Sequence, residues 1–213
     1  MTRIKACGIT NLDDARQAVD LGAWALGVVF WPESPRRCEI EEAELISGAL
    51  GRRVEVAGVF VNATLDHVAA VADRCSLSLL QLHGDEGPAY CAEAARRTRC
   101  KVIRAARVAS PGQVKALEAY NIDYRLLDAY VPGRPGGTGQ TFNWDFVPRG
   151  GGPPVILAGG LEPDNVGAAV AAARPFAVDT ASGTEATPGR KDLARLTAFF
   201  RAVEATDSET AAV

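Results

Sequence analysis

Pro154-Val155-Ile156-Leu157-Ala158-Gly159-Gly160-Leu161-Glu162-Pro163-Asp164-Asn165-Val166 is the stretch whose reading decides the fold. Val155-Ile156-Leu157 is a short apolar run of the kind a buried strand makes. Gly159-Gly160 breaks it, and Glu162-Pro163 opens a helix, because proline fits a first turn where its missing N–H is not needed. A strand, a glycine turn and a helix start leave backbone N–H groups bare, where an anion can sit. The same geometry follows again: Phe176 to Asp179 as a strand, then Thr180-Ala181-Ser182-Gly183-Thr184. Two successive strand-to-glycine turns late in an α/β chain match the phosphate site formed by the loops after strands seven and eight of a (β/α)8, or TIM, barrel. The chain reads as built to hold one phosphorylated small molecule there.

Outward from that stretch, short apolar runs alternate with helical patterns. Strands are expected at Ile4 to Cys7, Trp24 to Phe30, Val54 to Val61, Leu77 to Leu82, Lys101 to Ala106 and Tyr124 to Asp128. Between them lie helical patterns at Leu12 to Leu21, Ile40 to Leu50, Leu65 to Arg74, Pro88 to Arg97 and from Ser110-Pro111 onward. A last helix carries Leu193, Leu196, Phe199, Phe200 and Val203 on one side. About eight βα units in unbroken alternation imply a parallel sheet and a single-domain α/β barrel over residues 1–205. Residues 206–213 are small and polar and are expected as a flexible tail. Tyr130 to Gly152, rich in Gly and Pro, departs from the pattern; a lid over the site and a degenerate sixth helix are both open.

Composition narrows the class. The chain has 213 residues, 47% of them hydrophobic, and a net charge of −3. Its basic residues are scattered, and the clusters Arg52-Arg53 and Arg96-Arg97-Thr98-Arg99 read as solvated helix ends, so no nucleic-acid partner is expected. Five cysteines without a C-x-x-C pair or zinc spacing argue for a reducing compartment and no metal. Met1 to Lys5 enters a strand at once, and no apolar run nears the ~18 residues that span a membrane. The expectation is a cytoplasmic protein with no membrane contact. Its buried apolar helix faces suit a monomer or a homodimer equally.

In such a fold, chemistry sits at the carboxyl ends of the strands. Cys7 ends the first strand before Gly8, as a nucleophile, a general base or a small buried residue. Lys5 and Arg36 are the candidate positive charges near it. Asp128 ends strand six, ahead of a sequence unsuited to start a helix, and suits a general acid better than a cap. In a closed barrel, strands seven and eight lie between strands six and one. Asp128 and Cys7 would then flank a sugar phosphate held at Gly159-Gly160 and Ser182-Gly183, an arrangement for proton-transfer isomerisation. Arg36, in Ser34-Pro35-Arg36, is either a bidentate grip for a carboxylate or a solvated loop residue. Asp179, at the end of strand eight, can bond a substrate hydroxyl or amine. His83 ends strand four, as a site residue or a turn cap.

These residues stand in motifs that resemble the phosphoribosylanthranilate isomerase family. The motifs are Lys5-Ala6-Cys7-Gly8-Ile9-Thr10, Ser34-Pro35-Arg36, Gly58-Val59-Phe60-Val61-Asn62, Gln81-Leu82-His83-Gly84 and Leu127-Asp128. Then come Gly136-Gly137-Thr138-Gly139, Phe142-Asn143-Trp144, Leu157-Ala158-Gly159-Gly160-Leu161, Val178-Asp179 with Ser182-Gly183 and Glu185, Pro188-Gly189 and Lys191-Asp192. They run in family order through nearly the whole chain. The resemblance implies an intramolecular aldose–ketose isomerase of tryptophan biosynthesis that needs no cofactor. It implies an Amadori rearrangement of N-(5-phosphoribosyl)anthranilate to 1-(2-carboxyphenylamino)-1-deoxyribulose 5-phosphate. Asp128 would be its acid and Cys7 its base. Arg36 would hold the anthranilate carboxylate, Asp179 would line the sugar site, and Gly160 with Ser182-Gly183 would bind phosphate. Ala6, Asn143, Thr180-Ala181 and Thr184 depart from the family's usual residues, chiefly around the phosphate turn.

Overall fold

The computed structural model describes residues 1–129, 144–148 and 150–211. Its sheet is a closed parallel barrel in sequence order: β1 (Arg3–Cys7), β2 (Ala25–Val29), β3 (Glu55–Phe60), β4 (Leu79–Leu82), β5 (Lys101–Val108), β6 (Tyr124–Ala129), β7 (Val155–Ala158) and β8 (Ala177–Thr180). Closure is made by β1 pairing with β8, with Lys5 beside Asp179. Helices α1 (Leu12–Asp20), α2 (Ile40–Leu50), α3 (Leu65–Arg74), α4 (Pro88–Thr98), α5 (Pro111–Ala116), α6 (Pro163–Ala173) and α7 (Leu193–Ala211) surround it.

The helix starts follow capping chemistry. The Asn11 side chain accepts from the Asp14 N–H at 2.9 Å, and Thr64 accepts from the His67 N–H at 3.3 Å. Ser110 with Gln113, and Glu162 with Asn165, form capping boxes, each ahead of a proline in the first turn.

Strand parity sorts the side chains. Alternate residues such as Ile4, Ala6, Leu127 and Val178 face the helices in one large core. The others point inward: Ala25, Ala57, Leu79, Ile103, Leu126, Ile156 and Ala177 fill the barrel. Trp24, Tyr124 and Phe176 plug its amino-terminal end, their ring centroids 5.3–5.4 Å apart. Above this layer lie Cys7, Val29 and Val59. The parity that buries Leu126 and Ala177 therefore also turns Asp128 and Asp179 inward, and it places Lys5 and Cys7 on one face.

Three features differ from the sequence expectations. The last helix does not stop before 206; it continues to Ala211, where a tail was expected. Asp207 secures it, its carboxylate accepting from the Thr2 backbone N–H and, at 2.9 Å, from the Thr2 hydroxyl. After β8 the chain forms a small antiparallel hairpin, β9 (Glu185–Thr187) with β10 (Arg190–Lys191), which no periodicity announced. Between β6 and β7, Trp144–Phe146 is a single 3-10 turn. Residues 130–143 and 149 of the expected lid or sixth helix, including Gly136-Gly137-Thr138-Gly139 and Phe142-Asn143, lie outside the described residues.

Candidate active site

A cavity of about 190 Å³ opens at the carboxyl ends of the strands, lined by Cys7, Arg36, His83, Asp128, Asp179 and the two turns Gly159-Gly160 and Ala181-Ser182, among others. A larger hollow, about 730 Å³, lies at the other end of the barrel. Glycine, proline and alanine make up most of its walls and Arg125 and Arg174 are its charged groups. Among the described residues that line it there is no acid–base pair, so the smaller cavity is the candidate site.

The floor is built by two stitched turns. Gly159 and Gly160 have φ of 90° and 63°, left-handed conformations open to glycine. The Asn165 amide donates to the Gly160 carbonyl at 2.8 Å and its oxygen accepts from the Glu162 N–H at 3.0 Å. The Thr180 hydroxyl donates to the Leu161 carbonyl at 3.2 Å. Gly183 does not line the cavity. It stands behind the wall, where a Cβ would lie only 2.0 Å from the Leu161 carbonyl oxygen. Glycine there lets the turn after β8 pack directly on the turn after β7.

On one side stands Cys7, 7% exposed. Lys5, wholly buried, reaches the Asp179 carboxylate at 2.8 Å, and its Nζ and the Cys7 sulfur both lie within 3.0 Å of the point where a Cβ on Gly27 would stand. Burial pulls the Lys5 ammonium down, but Asp179 and then Cys7 outweigh it, and the group stands above its ordinary value. Burial pushes the Cys7 thiol up; Lys5 and Lys191 pull against that rise, and Asp179 adds to it. Lys191, on the β9–β10 hairpin, donates to the Ala181 carbonyl at 2.9 Å. Its ammonium is pulled below the usual lysine range by burial, against the opposing pull of Glu185.

On the other side stands Asp128, with His83 Nε2 at 3.3 Å from its carboxylate. Gln81 Nε2 lies 2.9 Å from His83 Nδ1. With that amide donating, the imidazole proton sits on Nε2, facing Asp128.

Arg36 also reaches the cavity, but its bidentate grip is already taken. Nε lies 2.9 Å and 3.0 Å from the two Glu185 oxygens, and Nη2 lies 2.8 Å from one of them. The edge expected to meet a ligand carboxylate is thus held by the hairpin, and Nη1 is the nitrogen outside that grip. Glu185 was visible in the sequence only as part of a motif. The same is true of Lys191 and Gln81, quoted within Lys191-Asp192 and Gln81-Leu82-His83-Gly84 with no role given to either.

Among the described residues no cluster of His, Cys, Asp and Glu could hold a metal ion, and no helix is long and apolar enough to cross a membrane.

Comparison with known proteins adds the following. A family model described as N-(5'phosphoribosyl)anthranilate (PRA) isomerase matches residues 4–202. The N-(5'-phosphoribosyl)anthranilate isomerase of Geobacter sp. (strain M21) is 49% identical over 200 residues, covering 93% of this chain and 96% of that one. The crystal structure of phosphoribosyl anthranilate isomerase from Thermotoga maritima superposes with a TM-score of 0.87 at 38% identity, covering 96% of this chain and 100% of that one. A further structure, at TM-score 0.83, 37% identity and the same coverage, is of such an isomerase in complex with reduced 1-(o-carboxyphenylamino)-1-deoxyribulose 5-phosphate.

Proposed function

The chain belongs to the N-(5'-phosphoribosyl)anthranilate isomerase family, an isomerase of tryptophan biosynthesis, and from that premise we propose the roles of its residues in an Amadori rearrangement. The observation that carries the proposal is the barrel order β6–β7–β8–β1. It sets Asp128 and Cys7 on either side of the two glycine turns, so that a sugar anchored by its phosphate lies between an acid and a base.

The phosphate sits on the backbone of Gly160 and Ser182, in the turns after β7 and β8 that line the cavity. Arg36 offers Nη1 to the anthranilate carboxylate, with Glu185 fixing the plane of the guanidinium. Asp179 keeps one oxygen on Lys5 and turns the other toward a sugar hydroxyl.

Asp128 protonates the furanose ring oxygen. The C1′–O bond breaks as the nitrogen lone pair forms a C1′=N bond, giving a protonated Schiff base. His83 faces the carboxylate left behind. Cys7, as thiolate, takes the proton from C2′, and that electron pair makes the C1′=C2′ bond of an enolamine. Tautomerisation moves a proton onto C1′ and removes one from the 2′-hydroxyl, which yields the ketone. The product is 1-(2-carboxyphenylamino)-1-deoxyribulose 5-phosphate.

Freshly generated phosphoribosylanthranilate is fluorescent, and its decay reads the reaction directly. The wild-type protein should accelerate that decay well above background; decay at the uncatalysed rate removes the proposal. Cys7→Ala should lower kcat by at least ~10², the lower range for general acid–base catalysis. Near-normal turnover in that variant would take the base role from Cys7. Arg36→Ala should raise KM more than it lowers kcat, since the carboxylate is held in both ground and transition states. Unchanged kinetics would place the carboxylate elsewhere.

A further inference from the structure

The reading of Cys7 as base leaves unexplained a lysine sealed inside the barrel. Resting on that reading, we propose that Lys5 is a positioning residue for the reaction: anchored by Asp179, its ammonium stands against the Cys7 sulfur and stabilises the thiolate that abstracts the sugar proton.

The first support is the cost of Lys5. It is wholly buried, two residues before the cysteine on the same face of β1. A well-packed apolar residue often serves a fold as well as a buried ion pair. Of its two register partners, Ala25 on β2 is apolar, and Asp179 on β8 is the group that Lys5 pairs with. A role in packing alone does not call for a charge at this place.

The second support is geometry. Gly27 on β2 pairs with Cys7. A Cβ on Gly27 would lie 2.7 Å from the Cys7 sulfur and 3.0 Å from Lys5 Nζ. The two polar atoms converge on the one spot that glycine leaves open.

The third support is the charge count on this wall. Lys5, Lys191 and Arg36 are cations; Asp179 and Glu185 are anions, paired with Lys5 and Arg36 respectively. Lys191 stands 3.8 Å from the same Glu185, so the formal count leaves one positive charge in excess, which a Cys7 thiolate would balance. The groups on the far wall, His83 and Asp128, face each other. Burial pushes the thiol up, and Lys5 is the largest influence pulling it back. Without Lys5 the anion would meet Asp179 with only Lys191 to offset it.

No covalent step involves Lys5. The thiol proton leaves to water to give the thiolate, the sulfur then takes the C2′ proton, and that proton returns to water before the next turnover.

The test reads Cys7 without substrate. All five cysteines are buried, and Cys7 is the one that lines the cavity. Alkylation by iodoacetamide, followed on the Cys7 peptide by mass spectrometry, reports the thiolate as a function of pH. In Lys5→Met the profile should move to higher pH, with reactivity near neutral pH down at least ~10-fold, the equivalent of one pKa unit. The acid limb of kcat should move with it and activity should recover at high pH, with KM little changed; Lys5→Arg should restore much of the wild-type profile. A folded Lys5→Met protein whose alkylation profile superposes on the wild type overturns the proposal. If Lys5→Met does not fold, Lys5→Gln combined with Asp179→Asn replaces both charges and keeps the hydrogen bond. The shift should then be smaller, because an opposing charge has gone too, but of the same sign; no shift, or one to lower pH, again overturns it. Failure of the base reading looks different: the alkylation shift would persist while Cys7→Ala stayed active.

Discussion

Asp128→Asn should abolish most of the turnover, lowering kcat by ~10²–10⁴, the range over which a positioned general acid accelerates a reaction. The amide has the same shape and keeps its place at the end of β6, but it has no proton of carboxylic acidity to give to the ring oxygen. Without that proton the C1′–O bond must break to an alkoxide. The phosphate turns and Arg36 are untouched, so KM should change far less than kcat, the signature of an interaction made in the transition state. Stopped or steady-state decay of the substrate fluorescence measures kcat, and titration with a reduced product analogue measures binding. If the variant turned over within ~10-fold of the wild type, another group would have to supply the proton. His83, 3.3 Å away, would be the first to examine.

The second large effect concerns a residue with no side chain. Gly183→Ala should damage stability and phosphate binding together. The added Cβ would stand 2.0 Å from the Leu161 carbonyl oxygen, 2.9 Å from its carbon and 3.0 Å from the Glu162 Cα. All three are backbone atoms at the entrance to α6, so no flexible side chain can swing aside. The turn after β8 has to lift off the turn after β7. Overpacking of this kind costs about 1–3 kcal/mol, a fall of roughly 2–12 °C in Tm for a domain of this size. With the two turns as the proposed phosphate floor, KM should also rise by ~10–100-fold, the loss of one hydrogen bond to a charged group. Gly48→Ala is the control. Gly48 lies on α2 with nothing within 4 Å of a Cβ. Alanine there should be neutral or raise stability by up to ~1 kcal/mol. Equal Tm and KM for Gly183→Ala and wild type would show that the turns yield, contrary to the geometry.

The sequence alone determined the barrel and the end of it at which the candidate residues lie. Period-two parity along β1, β6 and β8 is local, and it already sends Cys7, Asp128 and Asp179 to the inner face. The Gly159-Gly160 turn and the Glu162-Pro163 helix start are likewise written in adjacent residues. So are the caps of α1, α3, α5 and α6. What the chain pattern did not carry is which of these groups hold one another. Lys5 meets Asp179, 174 residues away, because β1 closes on β8 in one register. Arg36 gives its bidentate edge to Glu185, 149 residues away, because a hairpin too short to have a period folds back over the site. Gly183 reads as a phosphate contact in sequence, and its packing behind the wall follows from how two turns stack. Helix α7 continues to Ala211 where polarity suggested a tail, with Asp207 tied to Thr2 at the opposite end of the chain. Local pattern sets the face and the end of each strand on which a residue lies. Partnership, and with it the charge borne by the base, depends on distances between residues far apart in the chain, and those exist only once the barrel has closed.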